Sequence, residues 1–416
     1  MKIGPFARRF RAVQEPTVDA EAKPPSHNAA WATLVALLII GAFVLFTTQG
    51  QSFLNQGFQF LSQSSSSSSS TSSSSSSLSS SEPSSSTSVS VSCSNPTNVT
   101  SLVAPDINGN RAAIWYPPDY CVLANYALSL INQDRASNGT GPVALSFTPA
   151  AQQHVDSMLY YGYFSHNDTQ GYKPYMRYSF LGGRAADFEN VAEVIHSNFA
   201  STGDVEGAIK ELEYSMMYHD NDILGCFCNN GHRINILSTL HTQVSIGIAY
   251  NSTAVFFGEE FQNYYMALDF TPSGGCTLSG NCEVNMSGIP TDPSATRHLY
   301  AIFVFYDNTP SPATAAELNH SPHEYDPGLL LGGVLPPCNP IFGECVAFTN
   351  GITVHADKWT NTTSLIDIEF SLNDFIHGQT GITGTTPGYG AGVYTVYLVL
   401  GESTSDAITS ISVVVT

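Results

Sequence analysis

Three stretches decide how this chain is read: Gly162-Tyr163-Phe164-Ser165-His166, Phe188-Glu189-Asn190-Val191-Ala192 and Gly231-His232-Arg233-Ile234-Asn235-Ile236-Leu237. Each sets polar, chemically capable side chains among apolar neighbours. Around them runs the periodicity of a folded domain. Residues 122–136 place Leu123, Tyr126, Ala127, Leu130 and Ile131 on one helical face. Pro149 opens a second helix through Tyr161, because the first helical turn tolerates proline. Residues 204–217 predict a third, with Val205, Ile209, Leu212 and Met216 as its apolar stripe. Strand patterns follow at 243–250, 254–261 and 264–270. Helices first and strands last predict an α+β fold, specifically a layered α-β-α sandwich over 120–269.

The remainder, 270–416, is strand-rich, with loops of Gly, Pro, Asn and Thr. Strands are expected at 298–306, 351–358, 365–372, 393–400 and 408–415. Short alternating strands separated by turn residues predict an all-β sandwich, Ig-like in style. Tyr394, just after Gly392-Val393, is placed to form a tyrosine corner.

Upstream of both lies a different kind of chain. Residues 29–50 contain the uncharged run Leu34-Val35-Ala36-Leu37-Leu38-Ile39-Ile40-Gly41-Ala42-Phe43-Val44-Leu45-Phe46. In lipid, backbone polar groups must bond internally, so such a run is expected to cross as one transmembrane helix. Five basic residues precede it and no Lys or Arg follows until Arg111. That asymmetry predicts a cytoplasmic 1–28, a signal anchor and an extracellular body. Cleavage of the span as a signal peptide is the alternative, and would make the body secreted. Residues 51–92 are mostly serine and cannot bury enough apolar surface to offset chain entropy, so they are expected to form a disordered stalk. A lead-in segment, 93–119, connects it to the folded region.

Of the chain's 14 basic and 34 acidic residues, five and three precede Ala29, leaving 9 and 31 beyond it. A body that acidic repels phosphate, which excludes nucleic acid as a partner. All eight cysteines also lie beyond the span. An even count on one side of the membrane predicts disulfides in an oxidising compartment. Cys276 with Cys282 and Cys338 with Cys345 form plausible local loops, and Cys93 with Cys121 would pin the incoming chain to the first helix. Cys226 and Cys228 are too close to pair with each other without strain. Seven Asn-x-Ser/Thr acceptors, all on the same side, agree with a glycosylated surface.

The three opening stretches, in that order and preceded by Leu130-Ile131-Asn132-Gln133-Asp134-Arg135-Ala136, resemble the CAP superfamily (cysteine-rich secretory, antigen 5 and pathogenesis-related proteins) in its bacterial and archaeal style. The resemblance spans about 120–269. It implies an α-β-α sandwich with a cleft lined by His166, Glu189 and His232. Two imidazoles and a carboxylate are a ligand set for Zn²⁺ or another divalent cation, and also an acid–base set. Asn190, Arg233 and Asn235 are expected to support that cleft. Many relatives carry a second acid in the third helix; here the position falls on Ser215, with Glu211 and Glu213 off register. A hydrolytic mechanism built on two carboxylates therefore lacks one of its parts.

The alternative for Glu189 is a carboxylate that holds its own loop, and for the histidines a structural role. A loop with His320, His323, Glu324 and Asp326 also has metal-binding spacing, though a solvated loop is the plainer expectation. The sequence thus predicts a membrane-anchored extracellular protein that binds a divalent metal, a small or lipid-like ligand, or a surface protein partner. The other readings are a metal-assisted hydrolase, in which the metal lowers the pKa of a bound water and Glu189 acts as base, and a structural envelope component.

Overall fold

The first apolar stripe forms helix α1 (Tyr120–Ser137), which buries Tyr120, Leu123, Ala124, Ala127 and Ile131. The computed structural model describes residues 114–416, apart from 196–198, 220–229, 273–274, 293–298, 300, 321–324, 339–346, 349–350, 382–383 and 401–405. The expected span, the stalk and Cys93 lie outside these residues. Among the described residues no helix is long and apolar enough to cross a membrane.

The first sheet runs β1-β3-β4-β2. Its strands are β1 (Ala144–Ser146), β2 (Ala186–Ile195), β3 (Gln243–Tyr250) and β4 (Ala254–Asn263). β1 pairs parallel with β3, and β4 pairs antiparallel with both β3 and β2. β4, in the interior of the sheet, is buried along its whole length. Its odd positions Val255, Phe257 and Phe261 join Val244, Ile246 and Ile248 of β3 against α1 and against α4 (Thr202–Tyr218). Phe256, on the other face, packs with Val155 and Met158 of helix α2 (Ala150–Tyr161). A period of two thus sends alternate side chains into two cores, and helices cover both faces.

Local chemistry sets the helix ends. Ser201 and Asp204 close a reciprocal capping box at the start of α4. α2 stops at Gly162, which adopts a left-handed φ of 71° that a side chain would disfavour. α2 also lies so close to the sheet that a Cβ at Gly247 would strike the carbonyl oxygen of Ala151. A helix that the sequence pattern did not announce, α3 (Pro174–Phe180), carries proline in its first turn and lies on the α2 face.

The expected strand at 264–270 exists as β5 (Met266–Thr271), but it does not extend the first sheet. It pairs with β6 (Glu283–Pro290) in a second sheet of order β10-β11-β6-β5, with β10 (Lys358–Asn361) and β11 (Ile366–Ser371). Its burial alternates along its length, so one face packs and the other meets solvent. A five-stranded sheet, β15-β14-β7-β8-β9, faces it. That sheet comprises β7 (Ala301–Asp307), β8 (Leu329–Leu335), β9 (Ile352–His355), β14 (Gly392–Val399) and β15 (Ile411–Val415), while β12 (Gly378–Gly381) and β13 (Gly384–Pro387) pair as a separate antiparallel ribbon. Leu268, Met286, Ile368 and Phe370 from one sheet share a core with Ile302, Val304, Val396 and Val413 from the other.

Cys276 and Cys282 form the expected short disulfide loop. Cys121 and Cys338 are disulfide-bonded as well; the partners expected for them lie outside the described residues. Tyr394 closes its corner, its hydroxyl donating to the Gly390 carbonyl at 2.8 Å. Replacing Tyr394→Phe removes that one bond and is expected to lower unfolding stability by about 1 kcal/mol, measured by urea denaturation. Gly247→Ala must push α2 off the sheet and is expected to cost about 1–3 kcal/mol in the same assay.

Candidate functional site

Glu189 sits in the middle of β2, and its side chain lies on the α2–α3 face of the sheet. Its Oε1 is 2.9 Å from His166 Nδ1. Its Oε2 accepts from Arg177 Nη2 at 2.6 Å and lies 2.7 Å from His154 Nδ1. His154 belongs to α2 and Arg177 to α3. The second Arg177 nitrogen, Nη1, donates to the carbonyls of His166 and Tyr172. All four side chains are buried.

Burial alone would neutralise this carboxyl, but Arg177, followed by His154, holds Glu189 well below the usual carboxylate range. Burial likewise opposes the Arg177 charge, while Glu189 and Asp168 raise its pKa. For His154 the support from Glu189 is outweighed. Burial and the nearby Arg177 charge press it down to about 4, so the ring is neutral at ordinary pH.

The strand-rich half roofs this cluster. Tyr325 packs its ring 4.9 Å from that of His166, and its hydroxyl accepts from the Glu189 backbone N–H at 2.8 Å. Lys173 beside it pairs with Asp307 and Asp326, both at 2.7 Å. Tyr175 donates to Asp307 at 2.7 Å. Asn319 accepts from the Phe164 N–H at 2.7 Å. Asp326, one member of the acidic-histidine loop read from sequence, is thus engaged by a lysine; His323 and Glu324 lie outside the described residues.

The structure brings His166 and Glu189 together but does not bring His232 to them. Asn190, the next residue on β2, faces the opposite way. Its Nδ2 donates to the His232 carbonyl at 3.2 Å and to Glu259 at 3.0 Å, and its Oδ1 accepts from Asn235 at 2.9 Å. Helix α5 (Gly231–Leu237), which carries His232, therefore packs on the α1–α4 side of the sheet. The single cleft lined by all three residues is corrected to two sites on opposite faces, because neighbouring strand residues point apart. Arg233 of α5 donates to the Met217 carbonyl and to Asn138.

Ser215 is half-buried on α4, and the buried acid of that helix is Glu213. Glu213 lies against Glu259, and burial, reinforced by that neighbour, raises its pKa well above the ordinary value. Burial raises Glu259 too. Both carboxyls thus hold their protons to higher pH than exposed acids do. On the other face, Asp187 and Glu260 are raised by burial and by neighbouring carboxylates. Neither Asp187 carboxylate oxygen has a hydrogen-bond partner.

A divalent cation does not fit at Glu189. Both carboxylate oxygens are engaged, and the Arg177 guanidinium already occupies the position a cation would take. Among the described residues no group of three His, Cys, Asp or Glu side chains could hold a metal ion. His154, Arg177 and Tyr325 were not singled out from sequence, and Glu213 was named only as off register. Of the first three, His154 alone left a signal there, as a polar residue inside the Ala151, Val155, Met158 stripe.

Residues 128–269 match the profile of CAP, described as the cysteine-rich secretory protein family. A search of curated proteins returns no match. Among solved structures, this chain is similar to an extracellular protein containing a SCP domain from Bacillus anthracis str. Ames. The two are 18% identical, the alignment covers 35% of this chain and 43% of that one, and the TM-score is 0.25. The match thus spans less than half of that protein's length.

Removing one partner of the buried ion pair leaves the other charge uncompensated. Arg177→Met and Glu189→Gln are each expected to cost about 3–5 kcal/mol of unfolding stability, and the double variant less than their sum, by urea denaturation.

The pH response separates into two windows. Asp156, raised by burial from 3.8 to about 7, favours the folded state in acid. Its contribution is lost as pH rises from 3.8 through about 7. Glu189, shifted the other way, weakens the fold only below the ordinary carboxylate range. His154, lowered from 6.5 to about 4, contributes with the opposite sign as pH rises between those values. The expected outcome is therefore a difference: the melting temperature of the native protein relative to that of Asp156→Asn falls from about pH 4 to pH 8 in a scanning-calorimetry series.

Proposed function

We propose, from the premise that residues 128–269 form a CAP-superfamily domain, that this protein is the extracellular head of a membrane-anchored recognition protein and is not a hydrolase at Glu189. The observation that carries this reading is the state of the Glu189 carboxylate. A general base needs a free oxygen within reach of the water or group it deprotonates. Here Arg177, His154 and His166 take both oxygens. Glu189 is moreover held far below the pKa that suits a base near neutrality.

On this reading the His/Glu cluster is a joint. It ties α2, α3 and β2 together and offers Tyr325 of the second domain a flat imidazole to rest on. The head then acts as one rigid body with its contact surfaces on the outside. The uncharged run at 29–50 supports a single anchor with the N-terminus in the cytoplasm, and the serine-rich 51–92 supports a stalk reaching tens of ångströms, the length scale of a flexible coil.

Full-length protein in detergent, incubated with an unbiased peptide library with and without Zn²⁺, is expected to cleave nothing above the Glu189→Gln background. Cleavage that depends on both Zn²⁺ and Glu189 would overturn the reading and restore the hydrolase. The same preparation, dialysed against Zn²⁺, is expected to show a metal content unchanged by His166→Ala.

A further inference from the structure

A groove of about 1030 Å³ runs between the edge strand β1 and the strands β5 and β6, away from the His/Glu cluster. We propose that it is a carbohydrate-binding site for a short neutral oligosaccharide. The proposal deepens the recognition reading, on which it rests, by naming the ligand class.

The volume is at the upper end of ligand sites, which run to about 1,000 Å³, so an extended ligand fits. Its lining mixes two kinds of surface. Phe147 is 45% exposed and stands at the rim, with Tyr264 lower in the wall. The lining also holds planar hydrogen-bonding groups: Arg184, Gln243 and Asp269. A pyranose has one apolar C–H face and a girdle of hydroxyls that both donate and accept. An aromatic face satisfies the first. Guanidinium, amide and carboxylate groups satisfy the second, supplying donors and acceptors in fixed planes.

Arg184 is held in place rather than consumed. Its Nη1 donates to the carbonyls of Ser179 and Gly183, and no carboxylate among the described residues forms an ion pair with it. It follows Gly182, whose φ of 93° makes the tight turn that presents it.

Other occupants fit less well. An acyl chain would have to desolvate the Gln, Asp and Arg groups without returning their hydrogen bonds. A strongly anionic ligand meets a body with 31 acids and 9 bases, and meets Asp269 in the groove itself. A peptide adding to the β1 edge finds a strand of three residues with Pro149 close behind it, features that blunt an edge against pairing.

The test uses full-length protein in detergent and saturation-transfer NMR with neutral hexose and N-acetylhexosamine oligomers. Laurate and an uncharged tetrapeptide are the comparators. Saccharide binding is expected, weakened about tenfold in Kd by Phe147→Ala and by Gln243→Ala, with the melting temperature unchanged. Arg184→Ala is expected to abolish it; should that variant lose its turn, the other two still decide. Absence of saccharide binding, indifference to both Phe147→Ala and Gln243→Ala, or binding of laurate or peptide in its place would overturn the proposal. None of these outcomes bears on peptide cleavage, so this inference can fail while the recognition reading stands.

Discussion

The buried pair of Arg177 and Glu189 is the constraint on which the rest of the head depends. A carboxylate at full burial persists as an anion only when its charge is answered at hydrogen-bonding distance. The answer comes from α3, a helix of one and a half to two turns that has little reason to form alone. The pair fixes α3 against β2. α3 in turn offers Ser179 to β15 of the second domain, whose Ser412 N–H donates to the Ser179 hydroxyl at 2.9 Å. A local electrostatic requirement in the first domain thus becomes the seat of the second.

Much of the fold was legible because its signals are local. The α1, α2 and α4 stripes survive as helices with ends within a few residues of those read from periodicity, and the strand expected at 243–250 is β3 to the residue. Tyr394 needed only its neighbours Gly390 to Gly392 to be placed. The strand at 264–270 was legible as a strand but not as to its sheet. Which partner it pairs with is set by β6 across a disulfide-closed turn, not by its own alternation.

The site was half legible. His166 and Glu189 meet, as their stretches suggest. Reading Glu189-Asn190 as one feature concealed that a strand sends them to opposite faces, and with that His232 went to the wrong side. Arg177 and Tyr325 were not readable because their partners lie 12 and 136 positions away in the chain. Glu213 was set aside by its offset from the expected position, yet the helix turns it inward between Leu212 and Met216. The quoted motifs held His166 and Glu189, which meet; the neighbours that determine what the cluster can do came from outside those motifs.

The unanswered carboxyls have a consequence of their own. Asp187, Glu213 and Glu260 are carried into the interior, where burial raises the pKa of each well above that of an exposed acid. At those groups the unfolded chain, with them in water, binds fewer protons than the folded head. Folding therefore takes hydrogen ions up from the medium, and by mass action hydrogen ions behave as a ligand of the native state. The surroundings of the head act as a reservoir whose acidity is part of its structure, and its surface field is weaker than a count of its acids implies.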